Sequence, residues 1–156
     1  MVEQGDRVGD IGFVRADGAP AKLGDFKGKP VVVYFYPKDD TPGCTTEATD
    51  FSAFAGDFAA IGVRVFGVSK DTAEKHAKFT KKHDLSVELI ADVDGALCER
   101  FGVWIEKSLY GRQYMGIERA TFLIGGDSRV AQVWHKVKVK GHAESVFAAA
   151  RALVTT

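Results

Sequence analysis

The chemistry this chain can offer is concentrated in one loop. Pro37-Lys38-Asp39-Asp40-Thr41-Pro42-Gly43-Cys44 runs straight into Thr45-Thr46-Glu47. Before it, Val31-Val32-Val33-Tyr34-Phe35-Tyr36 is a short apolar run bounded by Pro30 and Pro37. Such a run, rich in β-branched and aromatic residues, reads as a strand buried on both faces. After it, Ala48, Phe51, Phe54, Ala55 and Phe58 recur on one side of a 3.6-residue period, so a helix starts near Cys44 and runs toward Ala60. Pro42 suits its first turn, where a missing N–H costs nothing, and Thr41 suits its cap. Cys44 therefore sits in the first turn of a helix that follows a buried strand. Free N–H groups and the positive end of the helix dipole favour an anion there, and the thiolate is the nucleophilic form of cysteine. The loop also lies beyond the carboxyl end of a strand, where open α/β sheets bind ligands. The position favours a reactive thiol over the small buried hydrophobe that a free cysteine usually is.

The other chemically able residues form no such constellation. His76, His83, His135 and His142 do not pair with the cysteines at zinc-site spacing, and all four read as surface or partly satisfied side chains. There is no Cys-x-x-Cys and no glycine-rich phosphate loop. Asp92-Val93-Asp94-Gly95 lacks the remaining ligands of a calcium loop and reads as a turn capping the next helix. No metal and no cofactor is implied.

Composition narrows the class. A chain of 156 residues is expected to form a single domain, residues 1–156, and it can bury about 70% of its unfolded surface. At 46% hydrophobic and 27% charged residues it matches ordinary globular proteins. Twenty-one basic and 21 acidic side chains balance, which argues against nucleic acid as a partner. No apolar run approaches the ~20 residues of a membrane span, and Met1-Val2-Glu3-Gln4-Gly5-Asp6 has no secretory pattern. Two cysteines make no disulfide framework, so a reducing cytoplasm is the expected location.

The elements around the loop follow from periodicity and turn chemistry. Phe13 to Leu23, with an Asp17-Gly18 turn, reads as an N-terminal β-hairpin. Gly62 ends the Cys44 helix, and Val63 to Val68 is a second strand, parallel to the first as in any βαβ unit. Asp71 and Glu74 have capping-box spacing ahead of a helix from Thr72 to His83, with Glu74 and Lys78 an i,i+4 pair. Val87 to Ile90 reads as a third strand, and a helix carries Leu97, Cys98 and Phe101. Residues 102–115 read as a long loop, which in a compact domain is often functional. Arg119 to Ile124 is a fourth strand and Val130 to Trp134 a fifth. Val137 and Val139, alternating with Lys136, Lys138 and Lys140, read as a strand edge blunted by charge. Residues 143–153 form the closing helix.

Pro37, Thr41 and Cys44, at the spacing Pro-x-x-x-Thr-x-x-Cys on a strand-to-helix turn, resemble the active-site loop of the peroxiredoxins. Glu47 three residues on and Arg119 at a late strand match the same pattern. Tyr34-Phe35-Tyr36-Pro37, Phe101-Gly102-Val103-Trp104, Gly116-Ile117-Glu118-Arg119 and Trp134-His135-Lys136-Val137-Lys138-Val139 resemble the bacterioferritin-comigratory, PrxQ-like branch. The resemblance covers nearly the whole chain. It implies a thioredoxin-like α/β fold with a central mixed sheet flanked by helices, and reduction of hydrogen peroxide or organic hydroperoxides.

It also implies roles. Cys44 attacks the peroxide and becomes a sulfenic acid. Acidity alone does not make this fast: lowering a thiol pKa from ~8.5 to ~6 raises its thiolate fraction at pH 7 only about 30-fold and weakens the nucleophile. Donors aimed at the stretching O–O bond must supply the rest. By resemblance Thr41 offers its hydroxyl and Arg119 its guanidinium, Glu47 orients Arg119, and Pro37 shields the site. The plainer readings are helix capping for Thr41 and a weak surface ion pair for Arg119 with Glu47. Where many members of the branch carry a resolving cysteine, five residues after the first, this chain has Thr49. Cys98, the other thiol, shares a helix with Leu97 and Phe101 and reads as buried. The expected cycle is thus one-cysteine, recycled by thioredoxin or by glutaredoxin and glutathione, in a monomer or weak dimer. The alternative is a redox sensor in which sulfenylated Cys44 signals without turnover.

Overall fold

The structure, a computed structural model, describes residues 2–26 and 28–155. In chain order these form β1 (Gly12–Val14), β2 (Pro20–Lys22), a 3-10 turn (Leu23–Phe26), β3 (Val31–Phe35), α1 (Pro42–Ala53), α2 (Ala55–Ala60), β4 (Arg64–Ser69), α3 (Ala73–His83), β5 (Glu88–Ala91), α4 (Ala96–Phe101), β6 (Trp104–Leu109), β7 (Arg112–Ile117), β8 (Ala120–Ile124), β9 (Val130–Trp134) and α5 (His142–Val154). The five central strands lie in the order β5-β4-β3-β8-β9. β3, β4 and β5 are mutually parallel, while β8 runs antiparallel to β3 and to β9, which makes the sheet mixed. This is the thioredoxin-like α/β arrangement, with β1 and β2 paired as the N-terminal hairpin.

β3 is central because it has no polar face to offer. All five of its residues are buried. Val31, Val33 and Phe35 enter one hydrophobic cluster, with Leu97, Cys98 and Phe101 of α4 and Phe122 of β8. Val32, Tyr34 and, just past the strand, Tyr36 enter the other. There they meet Cys44, Ala48 and Phe51 of α1, Phe58 of α2, Phe79 of α3 and Ala143, Val146 and Ala150 of α5. The sheet thus separates two cores. Among the described residues no helix is long and apolar enough to cross a membrane.

Four expectations need correction. The helix after Cys44 is not continuous: it breaks at Phe54, whose N–H is shared between the Asp50 and Phe51 carbonyls, and resumes as α2. Phe51, before the break, stacks on Tyr34 (ring centroids 4.5 Å apart), while Phe54 and Phe58 pack on Phe147 of α5. Thr72, not Asp71, caps α3, through a bond from Lys75 N–H. Asp71 turns back to the loop ahead of Cys44. Residues 102–115 are no loop: β6 and β7 form a regular hairpin, turned at Tyr110 (φ 52°) and Gly111 (φ 77°). Finally, residues 137–139 form no strand. Lys136 takes a left-handed conformation (φ 46°), and the Val137 N–H bonds the Arg119 carbonyl, so the segment braces β8's entry instead of extending the sheet.

Candidate active site

Topology brings three of the predicted residues, Cys44, Glu47 and Arg119, together. β8 is antiparallel to β3 and Ala120 pairs with Phe35, so the start of β8 lies beside the end of β3, where the Cys44 loop begins. Arg119 immediately precedes Ala120. It is held in place by its carbonyl, which accepts from Val137 N–H at 2.9 Å. Its neighbour Glu118 donates its N–H to the Val103 carbonyl (2.7 Å) and accepts from His135 (3.0 Å).

Arg119 joins Cys44 to Glu47. One guanidinium nitrogen donates to Cys44 Sγ at 3.3 Å, the other to Glu47 Oε1 at 2.7 Å. Cys44 and Glu47 are three residues apart on α1 and so share a face. Both are buried, at 2% and 1% exposure, and the Arg119 side chain is 17% exposed. Burial raises the Glu47 carboxyl to about 7, against the pull of Arg119. Burial opposes the charge on Arg119, but Glu47 and Cys44 outweigh it and its pKa is raised. Glu47 Oε2 is buried and finds no partner among the described residues. This is not a solvated surface pair. A guanidinium held in a half-dry site presents fixed donors to the sulfur and to anything reacting there.

Gly43 is part of the fit: a Cβ at that position would lie 3.2 Å from the Arg119 guanidinium. Thr41 occupies the N-cap position, yet its side chain caps nothing. Its hydroxyl donates instead to the Lys38 carbonyl, at 2.9 Å. Pro37 is exposed, at the start of the loop.

Three residues near the site escaped the sequence. Lys107, on β6, has its pKa lowered, first by burial and then by Arg119, with Cys44 and Glu118 pulling the other way. It stands within the field of the thiol and guanidinium, on an element whose existence the sequence concealed. Asp39 and His76 are buried and bonded to each other at 2.6 Å. Reading all four histidines as surface or partly satisfied side chains therefore fails for His76. It also fails for His142, which is buried against Thr121 (2.8 Å) and has its pKa lowered by that burial and by Arg119 to about 4.

The second thiol has opposite surroundings. Cys98 is fully buried in the cluster beyond the sheet from Cys44. Burial and a hydrogen bond to Asp92 push its thiol up. Asp92 also accepts from the Leu97 and Cys98 N–H groups, so the turn does cap α4 as expected.

A thioredoxin-like sheet with a cysteine in the first turn of the helix after its central strand, and a guanidinium on the sulfur, defines a thiol-based redox protein. Residues 4–133 match the AhpC/TSA family. The chain is 48% identical over 141 residues to Peroxiredoxin Bcp of Bacillus subtilis, covering 90% of each. It superimposes with a TM-score of 0.89 and 42% identity on Xanthomonas campestris Peroxiredoxin Q, covering 99% of this chain and 98% of that one. Peroxidoxin BcpB of Mycobacterium tuberculosis is similar at 34% identity and a TM-score of 0.84, covering 98% of this chain and 99% of that one. The chain belongs to the AhpC/TSA family, in its Bcp (PrxQ-like) branch of peroxiredoxins.

Proposed function

We propose that this chain, as one catalytic domain, is a thiol peroxidase that reduces hydrogen peroxide and organic hydroperoxides by a one-cysteine cycle. The observation that carries the reading is the Arg119 guanidinium bonded at once to Cys44 Sγ and to buried Glu47. A related Xanthomonas campestris protein is described for alkyl peroxide reduction, which supports hydroperoxides as the substrate class.

The Cys44 thiolate attacks the terminal oxygen of ROOH. An S–O bond forms, the O–O bond breaks, and RO⁻ leaves to take a proton as ROH, with Cys44 left as sulfenic acid. Arg119 faces both the sulfur and the charge developing on the departing oxygen, so its hydrogen bonds strengthen as the reaction proceeds. The Thr41 hydroxyl donates its O–H to the Lys38 carbonyl, so its oxygen is left to accept the O–H of an incoming hydroperoxide, in place of the donor role the resemblance implied. Glu47 fixes the guanidinium's orientation. Pro37 borders the approach from solvent.

Recycling uses an external thiol. Cys44 and Cys98 pack in separate cores on opposite faces of the sheet, and Thr49 donates its hydroxyl to the Thr46 carbonyl. The sulfenic acid condenses with an external thiol to a mixed disulfide and water, and a second thiol releases Cys44. Thioredoxin, or glutaredoxin with glutathione, supplies these in a reducing cytoplasm, to a monomer or weak dimer. Because Cys44 is only 2% exposed, the first turn of α1 must open to admit the reductant. Peroxide consumption is measured with each reductant system. Steady turnover with one of them is expected, with a sulfenic adduct of Cys44 trapped in its absence. Sulfenylation without turnover in either system would favour the sensor.

A further inference from the structure

The buried contact between His76 and Asp39 joins the reacting loop to α3, and its hydrogen bonding is decided by elimination. His76 Nε2 lies 2.9 Å from the Ile90 carbonyl, which can only accept, so Nε2 carries a proton. His76 Nδ1 lies 2.6 Å from Asp39 Oδ2. Two lone pairs do not approach so closely without a proton between them. Asp39 Oδ1 accepts from Tyr36 OH at 2.5 Å, and the Asp39 N–H donates to Asp71 Oδ2 at 2.8 Å. Asp71 Oδ2 also accepts from Ser69 Oγ at 2.7 Å. Burial keeps Tyr36 neutral, its phenol pushed up by desolvation first and by Tyr34 and Asp39 besides. The groups facing the pair are thus Tyr36 from the end of β3, Asp71 from the turn before α3 and a backbone carbonyl from β5. The close approach of Asp39, Asp71 and His76, with donor atoms within 4.8 Å, has a set of protons to account for it, each with an acceptor.

Asp39 is the only buried residue of the exposed stretch between Pro37 and Asp40. Lys38 beside it holds the Thr41 hydroxyl. We propose that one proton shared between His76 Nδ1 and Asp39 Oδ2 latches this loop to α3, making His76 and Asp39 positioning residues for the reaction at Cys44. The inference rests on the peroxidase reading above. Neither residue touches the reacting atoms. They act through the backbone of residues 38–41, on the place where Thr41 meets the peroxide. Misplacing such groups by about 1 Å can cost on the order of 10²-fold in rate.

Three variants and one spectrum test the latch. His76→Phe keeps a ring and removes both donors, whereas His76→Gln keeps an N–H for Asp39. The rate constant for Cys44 sulfenylation is expected to fall roughly tenfold or more in His76→Phe and to recover most of that loss in His76→Gln. A role in filling space predicts the reverse order. In the wild-type protein, proton NMR should show a strongly downfield ring N–H signal that disappears in Asp39→Asn. A folded His76→Phe that reacts at the wild-type rate overturns the latch, and so does a wild-type His76 ring whose Nδ1 proton is missing. Wild-type protein that fails to consume peroxide defeats the peroxidase reading. Wild-type turnover with His76→Phe unchanged defeats this inference alone.

Discussion

Cys44 and Cys98 occupy the same position in different helices. Each is the third residue, of α1 and of α4, and each is buried, at 2% and 0% exposure. Their surroundings are opposite. At α4 the Asp92 carboxylate takes the Leu97 and Cys98 N–H groups and faces the thiol, so the helix end is already occupied by an anion. At α1 the capping residue Thr41 turns its hydroxyl away to Lys38, and a guanidinium faces the sulfur. On the proposed reading, then, a helix N-terminus does not make a thiol reactive by itself. What decides is which group claims the first-turn amides and which charge looks at the sulfur.

The largest effects test that contrast directly. Cys44→Ser should abolish peroxide turnover, while Cys98→Ser should keep full turnover, and intact-mass analysis of wild type after one equivalent of peroxide should show a sulfenic adduct. A Cys44–Cys98 disulfide, seen as a loss of two hydrogens, would erase the distinction between an active and an idle thiol. Next comes the facing charge. Arg119→Lys keeps a cation but loses the planar fork that spans Sγ and Glu47. Loss of a preorganised donor of this kind costs about 10²-fold in rate. Stopped-flow at a pH where Cys44 is a thiolate in both wild type and variant isolates that effect from thiol ionisation, and equal rates there would remove Arg119 from the transition state.

Cys98, idle in the proposed cycle, makes a stability prediction. Asp92→Ala leaves two buried N–H groups of α4 without an acceptor, at about 1–3 kcal/mol. The melting temperature should fall while peroxide turnover at a permissive temperature stays at the wild-type level. Unchanged melting would mean that Asp92 does not hold the α4 end. A smaller effect is expected at Gly43. Gly43→Ala sets a methyl 3.2 Å from the Arg119 guanidinium, which must give by a few tenths of an ångström. A several-fold slower peroxide attack, with an unchanged melting temperature, is the expected outcome.

Much of this contrast was legible in the sequence, for identifiable reasons. β3 has no polar residue in five, and the prolines around the Cys44 loop mark its ends, so strand, loop and helix follow from local rules. The burial of Cys98 follows from its apolar helix neighbours. What escaped were contacts between distant residues. β6 and β7 are largely exposed, so they lack the alternation that reveals a half-buried hairpin, and their turn is Tyr110-Gly111 in place of a familiar Asn-Gly. Asp39 and His76 are 37 residues apart and each looks like an ordinary surface residue in its own segment. The break at Phe54 coincides with the stacking of Phe54 on Phe147 of α5, a contact no local pattern records.

A last prediction concerns the carboxylates, since each thiol has one. Asp92 touches its cysteine, whereas Glu47 acts on Cys44 only through Arg119. Burial moves Glu47 from 4.5 to about 7 in the folded protein, so its desolvation outweighs the ion pair with Arg119. A folded pKa above the unfolded one means that the folded state binds the proton more tightly. The stability this contributes is fully present below about 4.5 and is lost as pH rises to about 7. Glu47→Gln keeps an oxygen for the Arg119 N–H and removes the titration. Relative to wild type, its melting temperature should therefore climb between pH 5 and about 7 and run parallel above that. Parallel curves across the whole window would place Glu47 in a relaxed, fully compensated pair. The two carboxylates would then differ only in position, and the cation on Cys44 would be held without cost to the fold.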